Sequence, residues 1–354
     1  MPTVTLARHA MATRFELVLH GDNPVSLRAA GEEALDEIDR LEAQLSLYRP
    51  SSEIARLNAR AAREVVRVTP PLFRLLEHAR RLHQETGGAF DITIAPLVRC
   101  WGFMGGSGSL PSPGQIAEAR AKVGMGLVLL DPENVTVRFA REGVMIDLGA
   151  IGKGYAIQRA ADVLRETGVT NALIHGGTST IYALGQPPGA DAWQVAIEHP
   201  ASRVAPQESP ETGSCAVLRP AFSPDRPPLS AALSSAESPQ LGAASHSELF
   251  ISISLRDEAL SVSAVWGKSF QAEGKTYGHI LDPRTGWPAA GAVLAAVACV
   301  SATETDALST ALLTLGQEGH QHVGGLRPGM RTLVASETKD GFSLQTLGTG
   351  WRNT

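Results

Sequence analysis

The sequence predicts an α+β fold, with a largely antiparallel sheet and flanking helices. Three observations predict it. Helix-period and strand-period segments mix without the regular strand–helix alternation of a doubly wound sheet. Several strand-like runs lie close enough together to pair as hairpins. At 354 residues the chain can bury a large core, as one large domain or two intimately joined ones.

Taken in order, residues 13–19 alternate as a strand does. Residues 26–48 place Leu27, Ala30, Ala34, Ile38, Leu41 and Leu45 on one face of a helix. Residues 71–86 form a second helix, stopped by Gly87-Gly88. Residues 127–130 and 135–139 read as strands split by an Asp131-Pro132 turn, and 144–146 as a short buried strand. Residues 155–167 return to helical spacing. Residues 171–175, 193–198 and 248–255 are further strands, and the apolar run 289–300 reads as a buried one. Residues 301–316 carry Ala307, Leu308, Ala311, Leu312 and Leu315 at helical spacing. Residues 201–247 differ in kind. They hold seven Pro and ten Ser with no clean period, which predicts a mostly unstructured insertion within one 1–354 unit.

Composition excludes some function classes. A net charge of −5 without a dense Lys/Arg run argues against nucleic acid or an anionic membrane as the main partner. The three cysteines, Cys100, Cys215 and Cys299, are too dispersed for a zinc set or a disulfide framework. The first residues lack a basic and an apolar region of the signal-peptide kind, and no apolar stretch nears the ~20 residues of a membrane span.

Three segments carry candidate chemistry. Asp306 and Thr310 are four apart on one helix face and offer hard oxygen donors suited to Mg²⁺ or Ca²⁺. The plainer alternative is an Asp near a helix N-terminus and a Thr bonded to its own backbone. Residues 144–169 place Asp147 at the end of an apolar run, followed by Gly149, Gly152 and Gly154 and then a helix. Such a turn offers free N–H groups and the positive helix end to a phosphate, and Lys153 adds charge. It lacks both the P-loop spacing and a clean GxGxxG. In YGHILDPRTGWP, residues 277–288, His279 lies three residues before Asp282, so a tight turn could pair imidazole with carboxylate. An ordinary surface His beside a turn is the alternative.

Together these segments resemble the ApbE family of FAD:protein FMN transferases. The resemblance runs in order through HAMATRFEL (9–17), LSLYRPSSEIARLN (45–58), TGGAFDITIAPLVRCWGF (86–103) and DLGAIGKGYA (147–156). It continues through NALIHGG (171–177), WQVAIEHP (193–200), HILDPRTGWP (279–288) and TDALSTALLTLG (305–316). It implies an α/β roll that binds FAD, uses Mg²⁺ and moves FMN onto a Thr or Ser hydroxyl of a target flavoprotein, releasing AMP. It further implies that Asp306, Thr310 and the Ala150 carbonyl ligate the metal. Met11, Tyr48, Ala89, Phe90, Asp91, Asp147, Lys153 and Leu281 would line the FAD site, with His279 and Asp282 assisting transfer. Core packing is an alternative for Met11, Tyr48 and Phe90, and Trp101 is assigned to packing.

The chain departs from the family pattern at Val262-Ser263-Ala264, where Thr-Ser-Gly is common, at Gly278 for Ser, and at Gln158 for an acid. The first change falls where acceptor or flavin should pass. Alternatives of another kind therefore stand beside transfer: an FAD pyrophosphatase giving FMN and AMP, and a divergent, non-catalytic FAD-binding protein. Family members are often exported lipoproteins. This sequence lacks the lipobox cysteine, so a cytoplasmic location is expected.

Overall fold

The computed structural model describes residues 1–198, 218–220, 249–339 and 341–353. The chain opens with β1 (Thr3–Ala10), β2 (Thr13–His20), α1 (Pro24–Leu45) and α2 (Glu53–Arg60). Next come β3 (Val66–Arg67), α3 (Pro70–Glu85), α4 (Ala95–Cys100) and α5 (Pro113–Arg120). After β4 (Val128–Asp131) and β5 (Thr136–Phe139) follow α6 (Gly152–Glu166), β6 (Asn171–Gly176), β7 (Thr180–Leu184) and β8 (Trp193–Glu198). The second half holds β9 (Leu218–Pro220), β10 (Leu249–Leu255), β11 (Glu258–Ala264), β12 (Ser269–Ala272), β13 (Lys275–Gly278) and β14 (Leu294–Cys299). It closes with α7 (Ala302–Gly324), β15 (Arg331–Thr338), β16 (Gly341–Leu347) and β17 (Trp351–Asn353).

Eight strands form the central sheet in the order β1-β2-β6-β7-β11-β14-β15-β16. Its neighbours pair antiparallel, as the sequence predicts. A second sheet, β17-β10-β8-β9, lies on one face. Strand alternation explains the layers. On β11 and β14, Ala259, Ala295 and Val297 join the core shared with α1, α3, α6 and α7. Leu260, Val262, Ala296 and Ala298 point the other way, into the core beneath the second sheet. β14 is therefore apolar on both faces, which is why its sequence reads as a continuous buried run.

Helix starts follow their capping residues. Asn23 accepts from the Val25 and Ser26 amides ahead of α1, and Ser301 from the Glu304 amide ahead of α7. α6 has no side-chain cap of its own. Its Gly154 N–H is instead taken by Asp306 Oδ2 on α7 at 2.9 Å. A Cβ at Gly154 would lie 2.1 Å from the Ala302 carbonyl oxygen, so the two helices close on each other only because that position is glycine.

Two expectations need correction. Residues 144–146 are buried or half-buried yet join no ladder. Ile146 bonds through both backbone groups to the Asn58 side chain, and Asp147 N–H donates to Ile92 O. Side-chain and loop partners satisfy this backbone in place of a neighbouring strand. The strand expected over 289–300 begins only at Leu294. Of the 201–247 insertion, Leu218–Pro220 pairs with β8, and the remainder lies outside the described residues.

Candidate active site

Asp306 and Thr310 sit in the first half of α7, on the face packed against β11 and the start of α6. Asp306 is 4% exposed. Besides Gly154 N–H it accepts from Thr180 Oγ1 at 3.5 Å, and Lys153 Nζ stands 3.8 Å from Oδ1. A buried carboxylate with one good N–H and a lysine beyond hydrogen-bond range is only partly compensated. Thr310 Oγ1 donates to the Asp306 carbonyl at 3.3 Å and lies 3.2 Å from Ser263 Oγ. The plainer reading of the sequence is thus present, and it is compatible with a site. A hydroxyl has two lone pairs, so at least one remains for a ligand.

β11 backs this arrangement with Ser261, which the sequence analysis missed, and Ser263, which it named only within a departure from the family pattern. Ser261 Oγ lies 2.8 Å from Thr305 Oγ1 and 3.2 Å from Thr180 Oγ1, its one proton going to the nearer or shared between them; Ser263 bonds Ser309 at 2.9 Å. The i, i+2 spacing of Ser261 and Ser263 on a strand was the available signal: it puts both hydroxyls on one face. Nothing in the sequence points to Thr180, which arrives from β7.

Lys153 ties the parts together. Its charge acts on Asp147 and on His279, and it stands beside Asp306. Burial pushes the Asp147 carboxyl up, while a bond from Gly149 N–H and the Lys153 charge pull it back. Asp147 in turn acts on Tyr48, whose ring is 69% exposed and so is free to take a planar ligand. Ala150 lies in the same turn, between Gly149 and the start of α6.

His279 follows β13 and rests against the loop at Gly267, where a Cβ would lie 3.1 Å from Cε1 and φ is +133°. Its Nδ1 is 3.1 Å from the Lys268 carbonyl, which also accepts the His279 backbone N–H at 3.0 Å. A carbonyl only accepts, so Nδ1 carries the proton and Nε2 is the basic nitrogen. Burial, with the Lys268 and Lys153 charges, holds this imidazole below the usual histidine range against the opposing carbonyl bond. It is neutral near pH 7.

The expected His279–Asp282 pair does not form. Asp282 Oδ1 accepts from the Arg284 backbone N–H and Nε at 2.8 and 2.9 Å, and Oδ2 from Nη2 at 2.8 Å. The turn that was expected to join them wraps Asp282 onto its own Arg284 instead. Trp101, buried as assigned, fixes the same turn by donating its indole N–H to Gly286 O at 2.8 Å.

The other candidate residues divide. Phe90 and Leu281 are 1% and 5% exposed, with side chains inside the core, so only their backbone can meet a ligand. Ala89 and Asp91 are buried beside them. Asp91 holds Thr93 through Oδ1 and His83 through Oδ2 at 3.1 Å. The sequence analysis missed His83. Met11 and Ala12 turn the β1–β2 hairpin with φ of 50° and 57°, strained for residues other than Gly, Asn or Asp, and Met11 packs against the core edge.

The donor set fits one hard cation. Among the described residues no group of three or more His, Cys, Asp or Glu is placed to hold a metal. A cation here would have one protein carboxylate, a hydroxyl and a backbone carbonyl, and would complete its shell from substrate phosphates, as Mg²⁺ commonly does. No described helix is long and apolar enough to cross a membrane.

Comparison with known proteins bears on the family and the fold. FAD:protein FMN transferase of Haemophilus influenzae is 27% identical over 89% of this chain and 81% of its own length. The protein of the same name from Treponema pallidum is 29% identical, over 82% and 73%. The crystal structure of the ApbE protein from Thermotoga maritima superposes with a TM-score of 0.76 at 26% identity, covering 97% of this chain and 96% of that one. The ApbE family pattern itself matches residues 11–219 and 227–333, and on that match the chain belongs to the ApbE family.

Proposed function

We propose that this protein transfers FMN from FAD to a Thr or Ser hydroxyl of a target flavoprotein, releasing AMP. The observation that carries the reading is the half-compensated buried carboxylate of Asp306, which meets the glycine-rich start of α6 through Gly154 N–H and lies beside Lys153. The names of the relatives support it.

Asp306, Thr310 and the Ala150 carbonyl would hold Mg²⁺, which when bound neutralises charge on the diphosphate. Lys153 and the N-terminal turn of α6 would take the phosphate oxygens. Tyr48, Met11, Asp147 and the backbone of residues 89–91 and 281 would position the flavin nucleotide. His279 Nε2 would take the proton of the acceptor hydroxyl as its oxygen bonds to the FMN phosphorus. The phosphorus–oxygen bond to AMP breaks, and AMP leaves with the bridging oxygen. Asp282 acts one step removed: with Arg284 it fixes the turn behind His279.

Incubation with FAD, Mg²⁺ and a panel of flavin-free flavoproteins tests this. An FMN-sized mass gain on an acceptor, matched by AMP, is expected. AMP release without any acceptor would favour the pyrophosphatase reading instead. Tight FAD binding without turnover would favour the binding protein.

A further inference from the structure

A groove of about 1160 Å³ runs away from His279. Gly267, Gly278 and Ile280, which flank the imidazole, form one end. Thr314 lines it from α7, and its Oγ1 bonds the Thr310 carbonyl at 2.9 Å, one turn beyond the candidate metal ligand. The groove is therefore bounded by the residues around His279 and by the α7 turn that follows Thr310. Beyond Thr314 the helix breaks at Gly316 (φ 64°, ψ −151°), and Gln317 and Glu318 continue the wall.

The adjoining wall is the segment 289–293, the part of the expected strand that joins no ladder, with Gly291 packed against Gly316 at the break in the helix. Ala289 N–H donates to Ile280 O and Val293 N–H to Ala335 O. Among the described residues, the N–H groups of Ala290, Gly291 and Ala292 between them have no partner. Ala290 and Gly291 are exposed to the groove. Ala292 is buried, and the exposed Ala290–Gly291 stretch is left with unpaired donors of the kind an added extended chain can pair with. None of the residues assigned to FAD lines this groove. The space is thus left for the other substrate.

We propose that this groove binds an extended segment of the acceptor protein, whose backbone pairs with the exposed 290–291 stretch and whose Thr or Ser hydroxyl is thereby delivered to His279. The inference rests on the transfer reading above and adds to it the surface and mode of acceptor recognition.

The test uses the full chain with FAD, Mg²⁺ and a library of short peptides that each hold one central threonine. Ala290→Pro removes one donor, and Glu337→Trp places a bulky ring at an exposed position on the groove rim. FAD affinity is measured separately by flavin fluorescence. The proposal expects kcat/KM for peptide flavinylation to fall about tenfold or more in each variant, with FAD affinity unchanged. It also expects amides of the exposed 290–291 stretch of the unmodified protein to gain exchange protection when peptide is added. Variants that flavinylate peptides as well as the parent, or that lose FAD affinity in step with transfer, overturn the groove and leave the transferase reading standing. A parent protein that binds FAD yet neither modifies nor is protected by any peptide overturns both.

Discussion

Two carboxylates two residues apart on α7 have opposite surroundings. Glu304 and Asp306 are 6% and 4% exposed. Glu304 is saturated: His78 Nε2 reaches it at 2.9 Å, Arg81 Nη2 at 3.0 Å and Arg327 Nε at 2.7 Å. Burial alone would raise its pKa, but the bonds from His78 and Arg327 hold it at about 2. Arg327 also grips Glu85, so the cluster ties the end of α3 to α7. Asp306 has a backbone amide, a distant hydroxyl and a lysine at 3.8 Å. A buried acid whose counter-charges are all supplied by the fold is a fastening. One left short of positive charge is where an external cation gains most.

The largest effect should follow from removing the second kind. Asp306→Asn preserves an oxygen for the Gly154 amide but deletes the charge. Transfer should fall by at least about 10³-fold, since several kcal/mol of charge stabilisation goes with the cation. Calorimetry should find Mg²⁺ affinity lost while the melting temperature stays near that of the parent. Unchanged Mg²⁺ binding would remove the distinction between the two acids.

His279→Ala should cost about 10³-fold in transfer, within the usual range for a positioned base, with FAD and Mg²⁺ affinity retained. The pH profile sharpens this. The base must be unprotonated, and burial lowers its pKa, so kcat/KM should hold its plateau below pH 6.5 before falling on the acid side. An acid limb centred above 6.5 would mean that His279 is exposed and is not the base.

Glu304→Gln should do the reverse of Asp306→Asn. It leaves Arg327 and Arg81 facing an uncharged amide, at a cost of about 3 kcal/mol in denaturant unfolding. Transfer by the folded protein should survive. The pH window follows from the sign of the shift. A carboxylate lowered from 4.5 to about 2 contributes stability that is complete above pH 4.5 and lost as pH falls toward 2. The gap between parent and variant should therefore close across that interval. A constant gap would assign the loss to packing.

What the sequence discloses follows the same division between local and distant determinants. Helix α7 and the Asp306–Thr310 face come from spacing along one element, as do α1, α3 and α6; those three appear within a few residues of expectation, while α7 starts as expected but runs on past Gly316 to Gly324. The fate of 144–146 and of 289–293 turns on Asn58, Ile92, Ile280 and Ala335, partners remote in sequence. Periodicity registers that such runs are apolar but not where their amides go. The His279–Asp282 expectation failed for the same reason: spacing puts them within reach, but Arg284 competes for the acid and the Lys268 carbonyl for the imidazole. Glu304's cations come from α3 and from beyond the end of α7, so nothing local separates it from Asp306.

The smallest expected effect tests whether the surroundings of Asp306 are built for a ligand or only tolerate one. Ser263 lies in the stretch that departs from the family pattern, yet its hydroxyl still touches Thr310 at 3.2 Å and Ser309 at 2.9 Å. If Thr310 ligates a cation, Ser263 fixes which lone pair it presents, and the loss of such a supporting contact commonly costs about tenfold in metal affinity. Ser263→Ala should therefore weaken Mg²⁺ binding by about that factor, and Ser263→Thr should restore it. A purely packing role predicts a lowered melting temperature in the alanine variant with unaltered Mg²⁺ affinity. On that outcome the hydroxyl ladder from β11 to α7 belongs with Glu304 among the fastenings, and the site narrows to Asp306, Thr310 and the turn before α6.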